Sequence, residues 1–382
     1  MRLHSFFMAV SALVVAAAVV VACAPAAPPT PTAKPAAPAG TAAPTAAPTA
    51  APTKAAAAPT APASPASAGS TLVAAKAASA PKIDGDPGDS DWAKAQPTTI
   101  RVAGGQGLAN GSTDVTIKAI YTTDSIYFLA QWADPTQSYR RFPWQKQADG
   151  SWKQLITNSN GDENQYYEDK FAMIWNINDS IKGFNQQGCM VTCHLGEGKP
   201  YGNKYTASAG ELGDIWHWKS VRTGSVGQFD DQFVDDTRYD KDKAPEAGRK
   251  SDAKTAGGYA DNISDDKKGP KFALPDNKPA PPYWIKDAEK VAIDSSKYKA
   301  NDEVPGILVS PFTGDRGDIA SAHSYKDGKW TLEWGRKLDT GSKTDVQFTD
   351  LSKGYFFGVA VFDNSQVRHA FESGATQLTF AK

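Results

Sequence analysis

The sequence predicts an all-β fold, a β-sandwich with a long irregular insertion. Three observations predict it. Val115, Ile117, Ala119 and Tyr121 alternate with polar residues, which is the period of a half-buried strand. Short alternating or apolar runs recur along the chain with turn residues between them. No stretch carries a long apolar stripe at helical spacing.

Of the 382 residues, the first 80 are not expected to join that fold. Arg2 gives a basic start, and a mostly apolar run from Phe6 to Ala22 follows, so residues 1–22 read as a signal peptide. The run ends Val20-Val21-Ala22-Cys23, similar to the lipobox of bacterial lipoproteins, in which the cysteine is lipidated and becomes the mature N-terminus. A plain signal peptide and an uncleaved anchor are the alternatives. Residues 23–80 then comprise the lipidated Cys23 and a linker dominated by Ala, Pro, Thr and Ser. The linker has no aromatic residue and cannot bury a core; its prolines favour extended chain. The folded domain is expected over 81–382, roughly 300 residues.

Within it, strands are expected around 115–121 and, after a Thr-Thr-Asp turn, over 125–132. The run 170–177 reads as a buried strand, and 306–310, 330–334, 346–348, 355–362 and 377–380 add further ones. Between the two groups lies a long stretch, about 180–300, rich in Gly, Pro, Asp and Lys and read as irregular. Its part from 240 to 271 is highly polar and reads as a surface loop.

The insertion opens with Gly188-Cys189-Met190-Val191-Thr192-Cys193-His194. C-x-x-C-H is the pattern of covalent haem attachment, and here one extra residue separates the cysteines. The chemistry survives that change. The thiols of Cys189 and Cys193 can each add to a haem vinyl group as a thioether, and His194 can ligate the iron from the proximal side. A disulfide between Cys189 and Cys193, or half of a zinc site, would use the same residues. The cysteine count bears on this: with Cys23 lipidated, Cys189 and Cys193 remain as a dedicated pair in an exported protein.

Other classes lack support. A formal net charge of -1 gives no polycationic argument for nucleic acid. There is no G-x-S-x-G, H-E-x-x-H or P-loop, so no catalytic residue is assigned and an independent hydrolase is unsupported. Asp230, Asp231, Asp235 and Asp236 form an acidic cluster; oxygen-rich loops can hold Ca2+, but EF-hand spacing is absent, so a solvated loop is the default reading and calcium the alternative.

A resemblance adds to this. Lys82-Ile83-Asp84-Gly85-Asp86, followed by Asp91-Trp92, looks like the first strand of the sandwich superfamily that includes family 9 carbohydrate-binding modules and DOMON domains. Four further stretches resemble the haem-binding domain related to the ethylbenzene dehydrogenase γ-subunit. They are the run 168–175, the Cys189–Cys193–His194 segment, Asp214-Ile215-Trp216-His217-Trp218-Lys219, and the C-terminal Val361-Phe362-Asp363-Asn364 with Arg368-His369-Ala370-Phe371. The resemblance implies an immunoglobulin-like or DOMON-like β-sandwich with a haem-bearing insertion. Several members look like c-type cytochromes with a Cys pair and His at this position. The enzyme γ-subunits hold haem b through Met and Lys instead.

For the distal iron ligand the order of preference is His369, in the segment where the γ-subunits place their C-terminal ligand, then His217, then Met173. Trp175, Trp216, Trp218 and Trp284 are candidates to wall the haem, with core packing as the plainer reading, and Lys219 and Arg222 are candidates to pair with its propionates. The expected protein is an extracytoplasmic c-type cytochrome with one covalent haem c, lipid-anchored to the cell membrane. It would pass single electrons to redox partner proteins, as a carrier or as a subunit of a larger oxidoreductase rather than an independent enzyme, and bind no nucleic acid. The alternative is a carbohydrate- or ligand-binding lipoprotein module with a Cys189–Cys193 disulfide.

Overall fold

The structure, a computed structural model, describes residues 69–156, 165–193 and 204–382. Cys23 and His194 lie outside the described residues. Among the described residues no helix is long and apolar enough to cross a membrane.

The fold is an all-β sandwich. The chain begins with β1 (Thr71–Lys76), β2 (Thr98–Ala103), β3 (Ser112–Tyr121) and β4 (Ser125–Ala133). Short β5 (Trp144–Lys146) and β6 (Trp152–Gln154) precede β7 (Lys170–Asn176). A single helical turn, α1 (Phe184–Gln187), leads on to β8 (Gly213–Lys219), β9 (Asp230–Val234), β10 (Arg249–Ser251) and β11 (Ala256–Asp261). The brief β12 (Phe272–Ala273), β13 (Ile285–Lys286), β14 (Val291–Ala292) and β15 (Glu303–Val304) follow. The chain closes with β16 (Ile307–Thr313), β17 (Ala320–Lys326), β18 (Lys329–Lys337), β19 (Tyr355–Phe362), β20 (Ala370–Phe371) and β21 (Thr376–Phe380).

One layer runs β10-β9-β8-β7-β19 and the other β2-β3-β4-β18-β17. They are joined twice. β20 pairs with β19 and, through Phe371, with Ala103 of β2. β1 lies parallel to both β21 and β3. The facing sides form the core. Phe171, Met173 and Trp175 of β7, with Trp216 and Trp218 of β8, meet Phe128 and Trp132 of β4 and Trp330 and Trp334 of β18. Phe128 stacks on Trp334 with ring centres 5.2 Å apart, and Trp175 lies 4.9 Å from Trp216. Because side chains alternate along a strand, the large residues of β7 and β8 at every second position fill this core and the intervening ones face outward.

Several strands differ from the expectation. β1 lies in the stretch read as linker: Thr71-Leu72-Val73-Ala74 alternates, with Leu72 and Ala74 fully buried, but its composition resembles the Ala-rich chain before it. Lys82–Asp86 forms a turn instead of a first strand. Its Asp84 and Gly85 amides donate to Glu333 Oε2 at 3.0 and 2.7 Å, and Trp92 Nε1 donates to Oε1 at 2.7 Å. Val346 and Phe348 are buried without joining a sheet. The region 180–300 is not an irregular insertion throughout, since β8 and β9 within it belong to the main sheet. Their Asp, His and Lys positions hid them, because these strands are buried on both faces. The polar stretch 240–271 contributes β10 and β11.

Candidate functional site

The outward face of β9-β8-β7-β19 is the floor of a cavity of about 440 Å3. Register fixes the floor as three rows. Gly358 pairs with Ile174, Ile174 with Ile215, and Ile215 with Gln232. The next row is Ala360–Ala172–His217–Asp230, and the last is Phe362–Lys170–Lys219. The floor is therefore low at Gly358, Ala360 and Ala172, and it passes from an apolar end to a cationic one.

The apolar end carries the two cysteines. After β7 the chain turns through α1 into a short 3-10 segment, Gly188–Val191, that lies on Ile174, Ile215 and Phe184. Gly188 has φ 56°, and a Cβ there would meet the Gly374 carbonyl oxygen at 1.9 Å, so the turn delivering Cys189 requires glycine. A Cβ built on Gly358 would stand 3.6 Å from the Cys189 amide nitrogen, which is how closely the segment approaches the floor. Cys189 is buried, Cys193 half-buried, and both line the cavity as free thiols. The Cys189–Cys193 disulfide of the alternative reading is not formed. Burial pushes both thiols up, most strongly Cys189, while Lys204 and Arg249 act in the opposite sense on Cys193.

Two of the three histidine and methionine candidates reach the cavity with their side chains. His217 sits in the middle row, buried, and its Nε2 has no hydrogen-bond partner. Burial first, then the charges of Lys219, Lys170, Arg249 and Arg222, hold its pKa well below the usual value, so the ring is neutral. His369 enters from the loop before β20, with Nδ1 3.0 Å from the Val367 carbonyl oxygen. Its ring lies 4.6 Å from that of Phe362, which lies 5.6 Å from the ring of His217. Met173 does not fit: its side chain belongs to the sandwich core, because the residues of β7 with outward side chains are its neighbours Ala172 and Ile174. The same alternation sends Trp175, Trp216 and Trp218 into the core, so they do not wall the cavity. Trp284 packs against Tyr139, also away from it.

The cationic end is largely paired. Lys219 donates to Asp230, which Arg316 Nε also reaches at 2.5 Å. Burial works against the charge on Asp230, but these cations prevail and hold its carboxyl below the usual range. Arg222 pairs with buried Glu168, whose Oε2 also accepts from the Val221 and Arg222 amides at 2.9 and 3.0 Å. Lys219 and Arg222, expected to meet propionates, thus already have carboxylate partners. Lys170 is different. It is buried, its Nζ donates to the Gln366 carbonyl oxygen at 2.9 Å and stands 3.9 Å from the centre of the Phe362 ring, and no carboxylate among the described residues pairs with it. Burial, with Arg222 adding to it, drives its pKa well down. No role was read for Lys170 in the sequence. The available signal is a lysine heading an otherwise apolar strand, two positions before Ala172.

A family model described as ethylbenzene dehydrogenase matches residues 89–373. The chain belongs to the ethylbenzene dehydrogenase family. The match takes in both sheet layers and every residue lining the cavity, in accord with the resemblance read from the motifs. Solved structures similar to the chain include a family 9 carbohydrate-binding module from Caldicellulosiruptor kristjanssonii in complex with glucose. It is 10% identical with a TM-score of 0.31, and the likeness covers 80% of this chain and 94% of that one. The same module in complex with cellotriose gives 10% identity, a TM-score of 0.29, and coverage of 81% and 93%. No curated protein matches the chain.

Proposed function

We propose that the cavity holds one haem c, attached through Cys189 and Cys193, and that the protein is an extracytoplasmic electron-transfer cytochrome of its family. The observation that carries this is the meeting of two free thiols with an unpartnered, neutral imidazole over a floor of Gly358, Ala360 and Ala172. The residues fit the group on several counts. The volume falls within the roughly 300–1,000 Å3 of small-molecule sites. A flat macrocycle suits a floor without large side chains. A neutral imidazole is the form that binds metal.

Haem bound here would supply one-electron chemistry at iron. The protein's own groups do the rest. Cys189 and Cys193 fix position. His194, next in the chain after Cys193, is the proposed proximal ligand. His217 would be the second iron ligand ahead of His369, because its Nε2 is buried on the cavity floor without a partner; His369, its Nδ1 held by the Val367 carbonyl, would offer Nε2 as the alternative. Lys170 would meet a carboxylate of the ligand, whose charge would favour the ammonium form that burial disfavours. Half-buried Arg222 and buried Arg141 beside it add positive potential. The Cys23 lipid anchor would keep the domain at the membrane surface, within reach of redox partner proteins.

The sugar-binding alternative has no comparable support. None of the ten tryptophans is exposed, Trp152 and Trp284 being half-buried.

Absorption and EPR spectra of the haem-loaded full chain test the assignment. The wild type is expected to be low-spin and to titrate along a one-electron Nernst curve. His217→Ala should convert it to high spin, while His369→Ala leaves it low-spin. A low-spin His217→Ala protein together with a high-spin His369→Ala protein would make His369 the second iron ligand instead. A wild type without reversible one-electron titration would refute electron transfer.

A further inference from the structure

The reverse sides of β8 and β9 carry a group that the haem pocket does not use. Asp214 and Asp231 point away from the cavity, where they meet Asp345 from the chain after β18; the three carboxylates each offer an oxygen within 4.8 Å of the others. Asp252, Asp315 and Asp345 form a second such triad, so Asp345 belongs to both. Of these five carboxylates, three face one guanidinium, Arg336. Arg336 Nη1 lies 3.2 Å from both Asp214 and Asp345 and 3.8 Å from Asp231.

One guanidinium does not neutralise this group, and its hydrogen bonds are incomplete. Asp214 Oδ2 accepts from Trp216 Nε1 at 2.9 Å and from the Val346 amide at 2.9 Å, and Asp345 Oδ2 accepts from Thr340 Oγ1 at 2.6 Å. Asp252 Oδ1 accepts from Thr344 Oγ1, and Asp315 Oδ2 from Ser342 Oγ at 2.8 Å. The other oxygens of three of these residues, Asp214 Oδ1, Asp252 Oδ2 and Asp345 Oδ1, are buried with no partner at all. Their side chains belong to residues at most 5% exposed. A buried carboxylate oxygen without a donor is costly, and several together in one place are costlier still. Asp315 is half-buried, which leaves a way in from solvent.

We propose that this cluster is a calcium site, with Asp252, Asp315 and Asp345 as its carboxylate ligands and Asp214, Asp231 and Arg336 as the charged wall behind them. The donors are all oxygens, which selects a hard cation. They come from three separate loop segments rather than a rigid cage, which suits the variable coordination of Ca2+ better than the strict octahedron of Mg2+. The site would also steady the haem pocket. The turn Asp315–Gly317 carries Asp315 into the cluster and Arg316 into the Asp230–Lys219 pair on the pocket side. Calcium at Asp315 would hold that turn, and with it the cationic end of the cavity.

The test uses the full chain stripped with EDTA and titrated with CaCl2, read by calorimetry and thermal unfolding. The expected result is one Ca2+ per chain, with Tm rising by about 5 °C at saturation. Asp252→Asn and Asp345→Asn should each weaken binding at least about tenfold, as loss of a charged ligand does in tuned calcium sites. Asp315→Asn, at a half-buried position, gives the same reading if the buried variants fail to fold. Asp363→Asn, in the separate acidic group Asp134–Asp169–Asp363, should leave binding unchanged. Absence of binding up to about 10 mM, beyond the range of extracellular calcium modules, would overturn the proposal. So would unaltered binding in the folded cluster variants, or loss of binding in Asp363→Asn alone.

Discussion

Trp216→Ala is expected to destabilise the protein by about 3–5 kcal/mol, the cost of deleting a large aromatic from a filled core. Trp216 is fully buried where the two layers meet, with Trp175, Phe128 and Phe348 around it at ring distances of 4.9, 5.7 and 6.3 Å. It also has two polar ties. Its Nε1 donates to Asp214 Oδ2, and its ring lies 4.7 Å from the guanidinium carbon of Arg336. Deletion therefore opens a cavity and removes a donor from a carboxylate that already has too few. Since domains are stable by only about 5–15 kcal/mol, much of the margin would go. Denaturant unfolding measures it, and thermal unfolding should show Tm lower by roughly 10 °C. A loss under about 1.5 kcal/mol, the range of volume-conserving swaps, would mean that this aromatic layer is not the centre of the core.

Glu168→Ala is expected to be of similar size, about 3–5 kcal/mol at neutral pH, because it leaves Arg222 without its acid and Arg141 with only the exposed Asp261. Glu168 is fully buried and receives Arg222 and two backbone amides, with Arg141 Nε at 3.7 Å. Burial disfavours its charge, but Arg222, Arg141 and Lys170 outweigh that, so its carboxyl lies below the usual carboxylate range. The pH dependence follows from that direction. A carboxyl whose folded pKa is depressed stabilises fully above its unfolded pKa of about 4.3, and the contribution is lost as pH falls through the folded value. The gap between wild type and Glu168→Ala should thus be widest at neutral pH and close in strong acid. Denaturant midpoints from pH 3 to 7 measure it, and a gap that widens toward acid would contradict the charged assignment. At the rim of the cavity, the variant should also free Arg222 and Arg141 to move.

How much of this was legible in the sequence varied with the physics. Strands β3, β4 and β19 alternate or run apolar, and their periodicity placed them. β8 and β9 did not read as strands because their outward face is also buried: His217, Lys219, Asp230 and Gln232 sit where a two-layer sandwich would be solvated. That same anomaly marks the site, since polar residues on a covered sheet face need a partner. Cys189, Cys193, His217 and His369 are singled out by spacing and motif, and the fold brings the four to one cavity. Met173 was misplaced by one position of the pleat: a residue shifted by one along β7 changes from pocket to core. Lys170 had only the weak signal of a lysine heading an apolar strand, and the Arg336 cluster had none as a group, because Asp345 is distant in the chain from Asp214.

The central claim is covalent haem at Cys189 and Cys193. The measurement is haem retention after denaturation, on full-length protein made in cells with haem-maturation machinery. The account predicts one haem per chain that stays with the wild-type polypeptide on a denaturing gel and resists acidified acetone. It also predicts no retained haem in the Cys189→Ala/Cys193→Ala double variant. A colourless wild-type protein, haem fully extracted by the acid solvent, or equal retention by the double variant would contradict it.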